Sequence, residues 1–227
     1  MNLAFYVYFY GSNENVACRI PILPSLKYDC YYFTNNKTVF ELLENTGWIR
    51  VFDDKPTTDD LIESCMVGKH IKALPHEYQE LSKYDYLCYF DSKINNISET
   101  IVENLINKYC IEQNYALLLR LHFHYVNGKA TVFDEYNVSL NQYRYTLEAD
   151  KYMSYINKQL SKGFSHETNN HCACGYLIRN MKHEKINEIN NVWYQNIQEC
   201  GIQDQISFFF VYQQYNDYIY PFSENIV

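Results

Sequence analysis

The sequence predicts an α/β fold, a mostly parallel central sheet flanked by helices, in one domain spanning residues 1–227. Two observations carry that expectation. Aromatic and β-branched runs recur along the chain, each stopped by Gly, Asn, Asp or Ser, and segments with helical spacing lie between them at distances that suit crossover connections. With 47 % apolar and 20 % charged side chains among 227 residues, the chain is also long enough to bury a core.

The first predicted strand is Leu3 to Tyr10, closed by Gly11 and Ser12, and the second is Tyr28 to Thr34, closed by Asn35 and Asn36. Val39, Leu42 and Leu43 give residues 37–45 the spacing of a short helix, and Trp48 to Phe52 follows as a third strand. Thr57-Thr58-Asp59-Asp60 caps the next helix, whose buried face is expected at Leu61, Ile62 and Cys65. Tyr84 to Phe90 is a strand ending in Asp91-Ser92-Lys93. Ser98 caps a helix with Ile101, Leu105 and Tyr109 on one side, and Ala116 to Leu121 is a further strand. The second half is more helical, with helices expected over 146–160, 185–200 and 204–215, the middle one carrying Ile186, Ile189, Trp193 and Ile197 in register. Around Cys172 to Ile178 a strand returns to the sheet.

The 19 Lys plus Arg against 27 Asp plus Glu leave a formal charge of −8, which gives no electrostatic basis for a broad nucleic-acid or anionic-membrane surface. Leu3 to Tyr10 is too short for a membrane span and lacks the flanks of a signal peptide, so an intracellular, cytoplasmic chain with no membrane segment is expected. Eight cysteines, at 18, 30, 65, 88, 110, 172, 174 and 200, read as thiols of a reduced compartment. The 24 tyrosines bring apolar bulk with polar tips that suit a wet pocket, although an AT-rich coding bias yields the same composition.

In an open α/β sheet, ligands sit outside the carboxyl ends of the strands. Those ends carry Tyr10-Gly11-Ser12, Thr34-Asn35, Asp53-Asp54 and Asp91-Ser92-Lys93. Asp91 either caps a turn or binds a divalent cation carried by a diphosphate. Lys69 and Lys72, three apart in the most basic stretch, share a helical face and either meet phosphate oxygens or solvate a helix end. Arg120, His122 and His124 alternate to one side of a strand. His166, His171 and Cys174 offer further metal ligands, but Cys172-x-Cys174 lacks the usual zinc-clamp spacing. Asp204, at the start of a very apolar helix, and its rival Glu135 are the candidate proton acceptors. No Gly-rich phosphate loop or nucleophile elbow is present.

Four stretches carry a family resemblance: Tyr28 to Asn35, Lys69-x-x-Lys72-x-Leu74-Pro75-His76, Tyr84-Asp85-Tyr86-x-x-Tyr89-Phe90-Asp91-Ser92-Lys93, and Trp193 followed by Gln203 to Phe208. In this order they resemble the GT-A-type glycosyltransferase family that includes chlorella-virus capsid-glycan enzymes and plant ceramidase-like and mucilage-related proteins. The resemblance implies a GT-A-like, Rossmann-like domain that transfers sugar from a UDP-sugar donor to a glycan or glycoprotein acceptor with Mn²⁺ or Mg²⁺. On that analogy Phe9, Tyr10, Gly11, Thr34 and Asn35 border the nucleoside, and Lys69, Lys72, Ser92 and Lys93 meet the diphosphate. Asp91 and His171 hold the metal, and Asp204 or Glu135 takes the proton. One departure stands out: Lys93 occupies the place of the second carboxylate in the usual Asp-x-Asp. A non-catalytic module binding a nucleotide-sugar or glycan therefore remains the alternative, with a lipid-amide or glycan hydrolase third.

Overall fold

The computed structural model describes residues 1–12, 19–125 and 128–224. Cys18, one of the eight expected thiols, lies outside them; the seven described cysteines are all free, and six are buried. The chain runs β1 (Leu3–Phe9), β2 (Asp29–Thr34), α1 (Lys37–Leu42), β3 (Ile49–Phe52), α2 (Leu61–Ala73), β4 (Tyr86–Phe90) and α3 (Glu99–Leu105). It continues through β5 (Leu117–Leu121), β6 (Ala130–Thr131), α4 (Val132–Ser139), α5 (Tyr143–Thr146), α6 (Ala149–Ser161) and β7 (Glu167–Thr168). β8 (Cys172–Asn180), α7 (Ile186–Cys200), α8 (Asp204–Tyr215) and β9 (Ile219–Phe222) close it.

Seven strands form one sheet in the order β3-β2-β1-β4-β8-β5-β9, and β6 pairs with β7 beside it. All pairings in the large sheet are parallel except the two made by β8, which is antiparallel to β4 and to β5. Period-two alternation sorts each strand between two layers. On β1, Ala4 and Tyr6 pack with Ile71 of α2 and with Ile186, Ile189, Trp193 and Ile197 of α7. Leu3, Phe5 and Val7 face the other way, onto Val39 of α1 and Val102 and Leu105 of α3. A third cluster joins Val132 of α4, Tyr145 of α5 and Tyr152, Tyr155 and Ile156 of α6 to Ile206, Phe209 and Phe210 of α8.

The helical face expected for α7 is the buried one, and the very apolar α8 is buried along most of its length. The face expected for α2 is not the buried one. Leu61 stands exposed and Ile62 and Cys65 are half-buried, while Ser64, Gly68, Ile71, Lys72 and Ala73 turn inward. A single helix over 146–160 is also not formed, because the chain breaks between α5 and α6 at Leu147 and Glu148. Glu148 serves the break itself, accepting from the Tyr152 hydroxyl at 3.1 Å and from the Ile202 backbone N–H at 2.8 Å. Glu135, placed in no element by the sequence, sits in α4 behind a Thr131–Asp134 capping box.

Candidate functional site

The carboxyl ends of β1, β4 and β5, the first residues of β8, one face of α2, α4 and the first turn of α8 enclose a cavity of about 1040 Å³. That is at the upper end of the roughly 300–1,000 Å³ of small-molecule sites. Five basic side chains line it, Lys69, Lys72, Lys93, Arg120 and Arg144, against four acidic ones, Asp59, Asp91, Glu135 and Asp204. In a chain of charge −8 this is a local concentration of positive charge.

α2 delivers two of the ammonium groups. Asp60 caps the helix by accepting from the Glu63 backbone N–H at 2.8 Å, and Gly68 lets it press onto β1, since a Cβ there would lie 2.3 Å from Tyr8 Cε2. This contact brings Lys72 inside at 3 % exposure, with Lys69 three residues before it on the same face, both turned to the cavity. Arg179, fully buried on β8, fixes the end of the helix by donating to the Lys72 carbonyl at 2.5 Å, and it also donates to the Tyr6 hydroxyl and the Asn190 side chain, both at 2.9 Å.

Both lysines converge on Asp204 Oδ2, Lys69 Nζ at 2.8 Å and Lys72 Nζ at 2.6 Å. Burial pushes the Asp204 carboxyl up, but the two ammonium groups outweigh it and hold the group down at about 2. Burial also depresses Lys69, while for Lys72 the attraction of Asp204 and Asp91 exceeds the burial cost and the group is held charged.

Asp91 follows β4 directly. Its Oδ1 accepts from the Tyr89 hydroxyl at 2.6 Å and lies 3.9 Å from Lys72 Nζ, while Oδ2 lies 3.7 Å from Lys93 Nζ. Gly175 on β8 leaves room for this carboxylate, because a Cβ there would come within 2.9 Å of Oδ2. One carboxylate flanked by two ammonium groups is a poor donor set for Mn²⁺ or Mg²⁺, which favour several anionic or neutral oxygens. The residues present at Asp91 do not fit that ion.

Phe9, Tyr10, Ser92 and Lys93 line the space together with Tyr8 and Tyr89, whose rings stack with centroids 5.6 Å apart. Gly11, Thr34 and Asn35 instead stand behind the wall. Asn35 accepts from the Gly11 backbone N–H at 3.1 Å and donates to the Pro56 carbonyl at 3.0 Å, and the Thr34 hydroxyl accepts from the Asn36 N–H at 3.1 Å. They shape the turn after β1 rather than its surface.

His171 is likewise displaced from its expected partner. It meets Glu135 instead of Asp91, with Nε2 2.9 Å from Oε2, and both side chains are almost fully buried. Glu135 Oε1 accepts from Gln203 Nε2 at 3.0 Å and Gln205 Nε2 at 2.8 Å. His122 completes the group, and one ligand atom from each of His122, Glu135 and His171 lies within 4.8 Å of the others, so the three could hold a metal ion. Burial presses His122 down to about 4, leaving its imidazole neutral. His166 stays outside, exposed beside Glu167 at 3.4 Å, and Cys174 packs under the start of α8. Arg120, His122 and His124 all line the cavity, but strand alternation is not the reason: β5 ends at Leu121, the two histidines follow it, and Phe123 between them lines the cavity as well. Tyr8 and Arg144 carried no sequence signal, because only the packing of β1 and α5 turns them inward.

No family model matches the chain, and no curated protein matches it. Among solved structures it is similar to apo mouse xyloside xylosyltransferase 1, with a TM-score of 0.55 at 7 % identity over 98 % of this chain and 85 % of that one. The chain has the GT-A glycosyltransferase fold. It is also similar to the apo form of the bifunctional glycosyltransferase WbbM, with a TM-score of 0.47 at 10 % identity over 97 % of this chain and 38 % of that one. Among the described residues, no helix is long and apolar enough to cross a membrane.

Proposed function

We propose that the chain transfers a sugar from a nucleotide-sugar, a UDP-sugar, to a hydroxyl of a glycan or glycoprotein. The observation that supports this most is the convergence of the Lys69 and Lys72 ammonium groups beside Asp91 and Lys93, at the strand ends of a GT-A fold. In glycosyl transfer the bond from the anomeric carbon to the diphosphate breaks, and negative charge grows on the leaving oxygen. Preformed ammonium groups held in the cavity stabilise that charge more in the transition state than in the ground state. Lys93 in place of a second carboxylate adds to this positive set, so the lysines take the charge-balancing role that the family resemblance assigns to a cation.

Asp204 serves to hold Lys69 and Lys72 in position. A carboxyl held near a pKa of 2 is a weak base and is poorly suited to taking a proton from an acceptor hydroxyl. Phe9, Tyr8 and Tyr10 offer aromatic and hydroxyl surface to the nucleoside and sugar. The kinship with the viral and plant group rests on the four sequence stretches alone.

The test is release of UDP from a panel of UDP-sugars incubated with glycan acceptors. The expected outcome is acceptor-stimulated release that falls at least about 100-fold in Lys72→Met, the scale of losing one charge-stabilising donor. Tight UDP binding with no release from any donor would replace this reading with the non-catalytic module, which the single carboxylate at Asp91 favours.

A further inference from the structure

We propose that His122, Glu135 and His171, brought together from the end of β5, from α4 and from the start of β8, bind one zinc-class divalent transition-metal ion in the cavity wall. This inference is independent of the nucleotide-sugar reading.

The donor chemistry and spacing both point there. Two imidazole nitrogens and one carboxylate oxygen form a set that suits Zn²⁺, Co²⁺ or Fe²⁺ and is too nitrogen-rich for Mg²⁺ or Ca²⁺. For metal bonds of about 2.0–2.2 Å, neighbouring ligand atoms lie roughly 3.0–3.5 Å apart. His171 Nε2 and Glu135 Oε2 are 2.9 Å apart already, and all three ligand atoms lie within 4.8 Å of one another. His122 would have to move toward the other two to close the remainder.

The surroundings resemble the outer shell of a metal site. Glu135 Oε1 is held by two side-chain amides, Gln203 and Gln205, which leaves Oε2 directed at His171. The strands fix the two histidines to each other, since the His122 backbone N–H donates to the His171 carbonyl at 2.8 Å and the rings stack with centroids 5.3 Å apart. The Tyr125 ring packs 5.0 Å from both imidazoles, and its hydroxyl lies close to the Glu135 carboxylate.

Three protein ligands leave at least one coordination position free, and His122 and Glu135 both line the cavity, so that position opens toward it. Coordination uses an unprotonated ring nitrogen, so the ion would replace the hydrogen-bond contact between His171 Nε2 and Glu135 Oε2.

The experiment uses the full chain, stripped with a chelator and titrated with Co²⁺, reading visible ligand-field absorption, with elemental analysis of the untreated protein beside it. The expected result is one ion per chain and displacement of Co²⁺ by Zn²⁺. Affinity falls by more than about 100-fold in His122→Asn and Glu135→Gln. His166→Asn, at an exposed histidine outside the cluster, leaves the titration unchanged. Near-ultraviolet circular dichroism of the metal-free variants confirms that they fold. No stoichiometric binding, or equal binding by folded His122→Asn, would overturn the proposal and leave the three residues as a hydrogen-bonded brace.

Discussion

At the level of single residues, Asp204 governs the charge of the cavity floor. It stands 135 positions from Lys69 in sequence, and its carboxylate is the anion that buried Lys72 and part-buried Lys69 share. Its folded pKa is depressed to about 2 from 3.8, so its contribution to stability is fully present above about pH 4 and is lost as pH falls through 2. Asp204→Asn should therefore be less stable by about 3–5 kcal/mol in urea unfolding at neutral pH, since two buried ammonium groups lose their partner. The same variant should lose most of the acid sensitivity that the parent shows between about pH 4 and pH 2. The sequence made Asp204 visible as a carboxylate at a helix start. Nothing in it linked that position to α2, because pairing across so long a separation is set by how α8 and α2 pack.

Among the elements, α2 matters most, because its approach to β1 sets where the two lysines point. Gly68 permits that approach, and Gly68→Ala should push α2 away from the Tyr8 ring. The expected cost is about 1–3 kcal/mol, typical of an overpacked interior, together with weaker nucleotide binding. A melting temperature and a binding affinity equal to those of the parent would show that the contact has no such role. Elements marked by continuous apolar runs, such as β1, β4 and α8, or by strong helical periodicity, as in α7, were legible from the sequence. The buried stripe of α2 was not, because Ser64, Gly68 and Lys72 are small or polar residues that turn inward only through contacts with distant strands. The direction of β8 was equally hidden. The chain leaves β5 at the cavity end, passes through α4, α5 and α6, and re-enters at that same end, so β8 must run opposite to β4 and β5.

For the whole molecule, a net charge of −8 opposes an anionic ligand everywhere except where lysines gather, and they gather at the strand ends of the sheet. The strand-end rule pointed to Asp91 and Lys93, and only the family resemblance placed Lys69 and Lys72 of α2 beside them. The sequence did not show His122, Glu135 and His171 as a group, since no spacing rule joins three separate elements. The most direct measurement of the central claim is calorimetric titration of UDP onto the parent protein and onto Lys72→Met, each in the presence of a chelator. The account predicts saturable binding to the parent without added metal and an affinity at least tenfold lower in the variant, a loss of about 1.4 kcal/mol. Absence of UDP binding to the parent, or equal affinity in a folded Lys72→Met, would contradict it.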